Sequence, residues 1–211
     1  MPLINAPLTF YTHPMSRGRV VRWMLEETGY PYDTKLLDYT TSMKAPEYLA
    51  ISPMGKVPAI THGDAVVTEV VAICAYLADM FPEARLLPDA KDAKAKADYY
   101  RWLFFIAGPL ESAVANKLLN VTIPDDKKRA IGHGGIEQVC SILRAELKGK
   151  DFIAGNRFSA ADLIVSSYLG FYLMFMAISP DAEFERYVKL HKSRPAAVRA
   201  LEIDEKLAKA A

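Results

Sequence analysis

The stretch Ser52-Pro53-Met54-Gly55-Lys56-Val57-Pro58-Ala59-Ile60 constrains this chain more than any other. A Met-Gly turn runs straight into Val-Pro and then into a short apolar run. Proline at the entrance of a strand donates no ladder hydrogen bond. It belongs where the strand's first residues offer their backbone to something other than a neighbouring strand. A cis Val57–Pro58 peptide does this, turning the Val57 amide and carbonyl toward an extended ligand. Taken alone, the stretch reads as no more than a turn before a strand, and the segments around it decide.

Leu8–Thr12 alternates with aromatic and β-branched residues, which predicts a strand. After the loop His13-Pro14-Met15-Ser16, Val20, Val21, Met24, Leu25 and Thr28 share one helical face, with Arg17, Arg19, Arg22 and Glu26 elsewhere. Gly29 ends that helix as a C′ residue. A second strand, Tyr32–Leu37, completes a βαβ unit with parallel strands. Residues 40–51 read as irregular or weakly helical. Val57–Thr61 and Val66–Thr68 flank the turn His62-Gly63-Asp64 and predict an antiparallel hairpin. A helix from Glu69 to Met80 follows, stopped by Pro82. The order β-α-β, irregular helix, β-β-α is complete by residue 82; this is the α/β thioredoxin-like order.

Residues 83–92 read as a linker and 93–211 as an all-α helical domain. The pattern over 93–120 is broken by Gly108-Pro109, predicting a kink or two helices. A second helical pattern, 125–148, is weakened by Gly132, Gly134 and Gly135. Ser159-Ala160-Ala161-Asp162 fits a capping box, with Phe158 as its staple residue. The helix from Ala160 to about Met176 is apolar nearly all round and predicts the centre of this half. Helices near Phe184–Lys192 and after Arg194-Pro195 close the chain.

Composition excludes several functions. A formal net charge of +1 leaves no electrostatic footprint for nucleic acid or an anionic membrane. No apolar run approaches the ~20 residues of a membrane span. Met1–Pro7 has neither a basic nor an apolar leader region, which predicts a cytoplasmic protein. Cys74 and Cys140 sit in apolar helical pattern and read as reduced core thiols. The four histidines, His13, His62, His133 and His191, lack the spacing of a metal site. There is no Ser-His-Asp constellation, phosphate loop or Gly-x-Gly-x-x-Gly. With no cysteine in residues 9–19, disulfide exchange through an enzyme thiol is not expected.

Four segments together resemble the soluble glutathione transferases, in their bacterial-like, serine-type form. They are Phe10–Arg17 with Trp23-Met24-Leu25-Glu26-Glu27, Pro53–Pro58, Thr68-Glu69-Val70-Val71-Ala72-Ile73 running on to Tyr76-Leu77-Ala78, and Ser159–Asp162. They span nearly the whole chain in the family's order. The resemblance implies a glutathione-binding domain over 1–82 and a helical domain over 93–211 with a pocket for an apolar electrophile. It also implies a homodimer and no metal. It implies Ser16 as the catalytic residue. At a strand-to-helix junction backbone amides and the helix dipole favour an anion, and a hydroxyl donor stabilises a thiolate. Without the resemblance, Ser16 reads as a helix N-cap.

By the same resemblance Val57 and Pro58 hold the cysteinyl unit of glutathione, and Glu69 its α-amino group. The Val70 amide holds the γ-glutamyl carboxylate, and Lys56 or Lys44 the glycyl carboxylate. Arg17 reads as a solvated charge beside Ser16, and Asp98 as a residue able to reach a neighbouring subunit's glutathione. Met15, Tyr99, Trp102, Phe105 and Tyr172 are candidates for the second-substrate pocket, with Phe175 and Met176 behind them. One departure stands out: the family often has serine where Val70 stands, so one hydrogen bond of about 1 kcal/mol is missing. Alternative readings are glutathione-dependent peroxidase, isomerase or dehalogenase chemistry, or a non-catalytic binding module of the same fold. The His13–Ser16 loop does not resemble the Ser-Ser-Cys loop of the maleylacetoacetate-type isomerases.

Overall fold

The computed structural model describes residues 6–210; Met1–Asn5, part of the segment read above for a leader, lie outside the described residues. The first elements are β1 (Leu8–Thr12), α1 (Gly18–Thr28), β2 (Asp33–Leu36), the short α2 (Pro46–Leu49), β3 (Ala59–His62), β4 (Ala65–Thr68) and α3 (Val70–Met80). The strands form one sheet in the order β2-β1-β3-β4. β1 pairs parallel with β2 and antiparallel with β3, and β3 pairs antiparallel with β4. This is the mixed thioredoxin-like sheet that the sequence predicts. Gly29 ends α1 at φ 67°, where its amide bonds back to the Leu25 carbonyl.

After a 3₁₀ turn at Pro82–Ala84, the helices are α4 (Ala93–Phe105), α5 (Glu111–Leu118), α6 (Ile136–Leu147), α7 (Ala160–Met174), α8 (Ala182–Lys192) and α9 (Pro195–Ala210). Gly108-Pro109 lies in a π-helical turn, Ile106–Leu110, that joins α4 to α5. Proline removes one intrahelical donor, and the wider turn absorbs the loss. The expected helix over 125–148 is shorter than its pattern. Only Ile136–Leu147 is α-helical, behind a 3₁₀ stretch at Asp125–Ala130. Three glycines in four positions remove the side chains that would offset the backbone entropy of a longer helix.

The chain divides into two compact units. One runs to Leu87 and resumes at Ser193, and the other is Pro88–Lys192. The sequence assigns all of 93–211 to the helical half, and here the structure differs. α9 returns to the first unit because α1 offers it a charged, partly buried face. Arg22 Nε lies 2.7 Å from Asp204 Oδ1 with both residues 1% exposed. Arg194 bonds both carboxylate oxygens of Glu27 at 2.6 and 2.8 Å, and Arg199 reaches Glu26 at 3.2 Å. Arg22 is therefore core rather than solvated face.

In the second unit α7 is buried on nearly every side. Asp162 anchors its start, accepting from the Ser159 amide (2.7 Å) and hydroxyl (2.8 Å), the Ile153 amide (2.7 Å) and the Tyr187 hydroxyl (2.5 Å). The predicted capping box is present. Phe158 packs against the His191 ring at 5.3 Å. Tyr99, Trp102 and Tyr172 correct the pocket expectation. They are buried core of this unit, at 1%, 0% and 2% exposure. They sit on the inward faces of α4 and α7, whose outward faces carry Tyr100, Phe104 and Phe171. Phe105 is half-buried against Trp102, with ring centroids 5.1 Å apart. Phe175 and Met176 are exposed, and Asp98 is paired with Lys94 of its own helix at 2.6 Å. Among the described residues no helix is long and apolar enough to cross a membrane.

Candidate functional site

Strand register assembles the site. Ala59, the first residue of β3, pairs with Tyr11 of β1 on one side and with Thr68 of β4 on the other. The C-terminal ends of β1 and β4 and the N-terminal end of β3 therefore meet at one end of the sheet. The His13–Ser16 loop, Val57–Pro58 and Glu69–Val70 all project from that end.

The Val57–Pro58 peptide is cis, and the ladder begins only at Ala59. Pro58 is buried. Val57 packs against a cluster of Tyr11, Met43, Tyr48 and Ala59. The loop ahead is fixed through its backbone: the Lys56 carbonyl accepts from Tyr48 Oη (2.6 Å) and Ser52 Oγ (3.0 Å). Gly55 is required at φ 59°, and a Cβ there would lie 2.8 Å from the Met43 carbonyl. Lys44 Nζ donates to the Gly55 carbonyl at 2.8 Å, which brings Lys44 beside the exposed Lys56.

Glu69 is exposed and sits at φ 70°, ψ 121°, a conformation that costs a non-glycine residue about 1–3 kcal/mol. Such strain clusters at ligand sites. Val70 opens α3, so its amide belongs to the first turn, where amides have no intrahelical acceptor.

Ser16 is half-buried. Its hydroxyl donates to the His13 carbonyl at 2.7 Å and accepts from the Gly18 amide at 2.9 Å. The N-cap position itself is Arg17, whose side chain makes no capping bond, so Ser16 sits one residue ahead of the cap and bonds the first helical amide. The same His13 carbonyl also accepts from the Ser16 amide at 3.0 Å. Gly18 is dictated by crowding, since a Cβ there would lie 1.9 Å from Thr12 Oγ1. Met15, beside Ser16, is 65% exposed, and Arg17 is half-buried rather than freely solvated.

Sequence reasoning missed two neighbours of this loop. Arg19 Nε donates to the Pro14 carbonyl at 2.6 Å, and Tyr39 Oη donates to the Met15 carbonyl at 3.2 Å. The Tyr39 ring also packs, tilted by 42°, against the His13 ring, with centroids 4.4 Å apart. Its own segment is held by Asp38, whose Oδ1 accepts from the Thr40 and Thr41 hydroxyls and amides. Those bonds, the Thr40 hydroxyl first, hold the Asp38 carboxyl down at about 2. Asp-x-Thr-Thr is a legible turn signal, but nothing in it points to a carbonyl 24 residues away. Among the described residues no three His, Cys, Asp or Glu side chains group as a metal site.

Ser16, Lys44, Lys56, Val57, Pro58, Glu69 and Val70 thus lie on one unit, around one end of one sheet. Known proteins share this fold. Residues 6–79 match the family model "Glutathione S-transferase, N-terminal domain", and residues 109–194 match "Glutathione S-transferase, C-terminal domain". Glutathione S-transferase 3 of Zea mays is 32% identical over 171 residues, covering 74% of each chain. Glutathione S-transferase 1 of Dianthus caryophyllus is 30% identical over 162 residues, covering 72% of each. A sphingomonad glutathione S-transferase complexed with glutathione superposes at TM-score 0.75 and 27% identity, over 93% of this chain and 98% of that one. The enzyme from Xylella fastidiosa does so at TM-score 0.74 and 26% identity, over 94% and 98%. By sequence and by fold, this chain belongs to the glutathione S-transferase family.

Proposed function

We propose that the sheet end carrying Ser16, Val57 and Glu69 binds glutathione, and that Ser16 stabilises its thiolate for attack on an apolar electrophile. The observation that carries this reading is the strand register, which gathers three separate segments at one end of the sheet. The Val57 backbone pairs with the cysteinyl unit of glutathione as an added strand. Glu69 takes the α-amino group and the Val70 amide the γ-glutamyl carboxylate. Lys56 and Lys44 offer positive charge to the glycyl carboxylate.

At Ser16 the single hydroxyl hydrogen points to the His13 carbonyl in the free protein. A thiolate is the stronger acceptor, because a charge-assisted hydrogen bond is about twice as strong as a neutral one. The hydroxyl turns to the sulfur, and the His13 carbonyl keeps the Ser16 amide as donor, so no buried acceptor is orphaned. The Gly18 amide stays on the oxygen and polarises it as a donor. In the chemical step a sulfur–carbon bond forms. The displaced group leaves with its electron pair, or, in an addition, the acceptor takes up the electrons and then a proton.

Replacing Ser16 with alanine tests the role. The expected result is a fall in kcat near neutral pH with the glutathione KM changed less. Full conjugation activity on every electrophile that the parent turns over would sink it. A second reading, a non-catalytic binding module, is favoured by the missing hydroxyl at Val70. Calorimetry that detects no glutathione binding at millimolar concentration would select it. We further propose a homodimer acting in a reducing cytoplasm. The exposed Tyr100 and Phe104 on α4 and the two free, buried cysteines support this. Light scattering in solution tests the dimer.

A further inference from the structure

Three consecutive carbonyls lead up to Ser16, and each is held by a side chain. His13 O accepts from the Ser16 hydroxyl at 2.7 Å, Pro14 O from Arg19 Nε at 2.6 Å, and Met15 O from Tyr39 Oη at 3.2 Å. We infer that Arg19 and Tyr39 are positioning residues for Ser16. By fixing the Pro14 and Met15 carbonyls they set the turn from which its hydroxyl is aimed. The inference rests on the catalytic reading of Ser16 and adds two residues to it.

The two residues act from different elements. Arg19 is the second residue of α1 and ties the loop to the helix it enters. Its terminal nitrogen also lies 3.8 Å from Met15 Sδ. Tyr39 comes from the segment after β2 and is placed by three independent constraints. The Leu37 amide bonds to the Thr12 carbonyl at 2.9 Å. The Asp38 carboxylate ties down Thr40 and Thr41, and Ser42 Oγ accepts the Asp38 amide at 2.7 Å. The Tyr39 ring then lies on His13, whose Nδ1 accepts the Met15 amide at 3.1 Å. Tyr39 is 47% exposed, and the partial desolvation of its phenol raises the pKa from the ordinary tyrosine value, which leaves it a donor at neutral pH.

A hydrogen bond to sulfur is directional, so a small rotation of the 13–16 turn weakens it without moving the backbone that grips the peptide. The same post-β2 segment carries Lys44, whose Nζ bonds to the Gly55 carbonyl. Tyr39 therefore links the part of the site with cationic charge to the part that holds the sulfur.

The test uses the full chain with Tyr39→Phe, Arg19→Gln and Ser16→Ala. The ultraviolet absorbance of the bound glutathione thiolate is titrated with pH, alongside kcat and KM. Tyr39→Phe keeps the ring contact with His13 and deletes only the bond to Met15. It should raise the bound thiol's pKa by roughly 0.5–1 and lower kcat near neutral pH by about 3–10-fold. Its glutathione KM should stay within about twofold of the parent. Arg19→Gln should move the thiol pKa in the same direction. A parental thiol pKa in both variants overturns the inference. A raised glutathione KM with unchanged thiol pKa also overturns it, by making Tyr39 a direct substrate contact. The control separates the two readings. If Ser16→Ala leaves the thiol pKa unmoved, the Ser16 reading itself has failed. If only Ser16→Ala moves it, the positioning role alone has failed.

Discussion

Replacing Asp204 with alanine strands a buried cation, and the cost follows from the geometry. Arg22 and Asp204 are each 1% exposed, with Nε 2.7 Å from Oδ1. The guanidinium also donates to Tyr32 Oη at 3.2 Å and Thr34 Oγ1 at 3.1 Å, and it lies 5.0 Å from the Phe10 ring centroid. Those neutral contacts survive the substitution, but the compensating charge does not. A guanidinium cannot shed its proton, so Asp204→Ala should cost about 3–5 kcal/mol. Arg22→Met is milder because the stranded carboxyl can take up a proton. Burial already holds the Asp204 carboxyl above the ordinary carboxylate value, against the pull of Arg22. Without Arg22 its native pKa rises further while the unfolded value stays near 3.9, so the native form binds the proton more tightly. Stability of Arg22→Met therefore grows as pH falls from neutral, and is lost again as pH rises through that native pKa. The double variant Arg22→Met/Asp204→Leu removes both charges and should return to within about 1–2 kcal/mol of the parent. Urea unfolding near pH 7 and near pH 5 checks all three, read by Trp23 fluorescence in a Trp102→Phe background, since Trp23 lies on α1 beside the pair. An Asp204→Ala loss below about 1 kcal/mol, or an Arg22→Met loss independent of pH, would refute the reasoning.

Glu69→Gly should stabilise the protein by about 1 kcal/mol, because glycine accepts φ 70° without strain, while glutathione KM rises with the lost carboxylate. Thermal unfolding and steady-state kinetics read the two effects separately. Burial pushes the thiols of Cys74 and Cys140 upward, so neither should react with a chromogenic disulfide near neutral pH until the chain is unfolded. Burial also pushes the Tyr32 phenol up to about 12. The native form then holds that proton more tightly than the unfolded chain above pH ~10, so stability should fall as pH climbs from there toward 12. A Tyr32→Phe variant should flatten that alkaline slope in pH-dependent denaturation.

The first unit was legible because its signals are local. Alternation marks β1, Gly29 caps α1, and Gly63-Asp64 turns the hairpin after His62, the last residue of β3. The order of strands then dictates which ends meet, and the convergence of Ser16, Val57 and Glu69 follows from it. What escaped the sequence depends on distant partners. A helical wheel puts Arg22 on the polar side of α1, and only Asp204, 182 residues away, makes that position core. The same partner moves α9 out of the helical half. In α4, Tyr99, Tyr100, Trp102, Phe104 and Phe105 point in all directions, so spacing alone could not separate the buried Tyr99 and Trp102 from the exposed Tyr100 and Phe104. Arg19 and Tyr39 were invisible for another reason: each acts on a backbone carbonyl, and a backbone target leaves no mark in side-chain pattern.

The site also divides its chemistry between protein and ligand in an unusual way for a thioredoxin-like unit. The position that would suit a reactive cysteine, at the start of α1 above the sheet, holds Ser16. The chain's own thiols are buried elsewhere, on α3 and α6, and are raised rather than lowered in pKa. In the function proposed above, the nucleophilic sulfur arrives with glutathione and the protein's task is to move one proton equilibrium. An ordinary thiol titrates near 8.5, and making it tenfold more acidic takes about 1.4 kcal/mol. A hydroxyl hydrogen bond to a charged acceptor supplies about 1.5–3 kcal/mol, and a helix N-terminus about 0.3–1 kcal/mol more. Together, on the proposed reading, they would bring the bound thiol to roughly 5.5–7, where a large share is thiolate at neutral pH. On this reading the step calls for no general base, and the loop around Ser16 offers His13, two arginines and the Tyr39 phenol rather than a carboxylate. The demand falls instead on aim. If Ser16 acts as proposed, one hydrogen on one oxygen supplies most of this acidification, and the carbonyls that fix its turn then matter to the chemistry as much as the residues that grip the peptide.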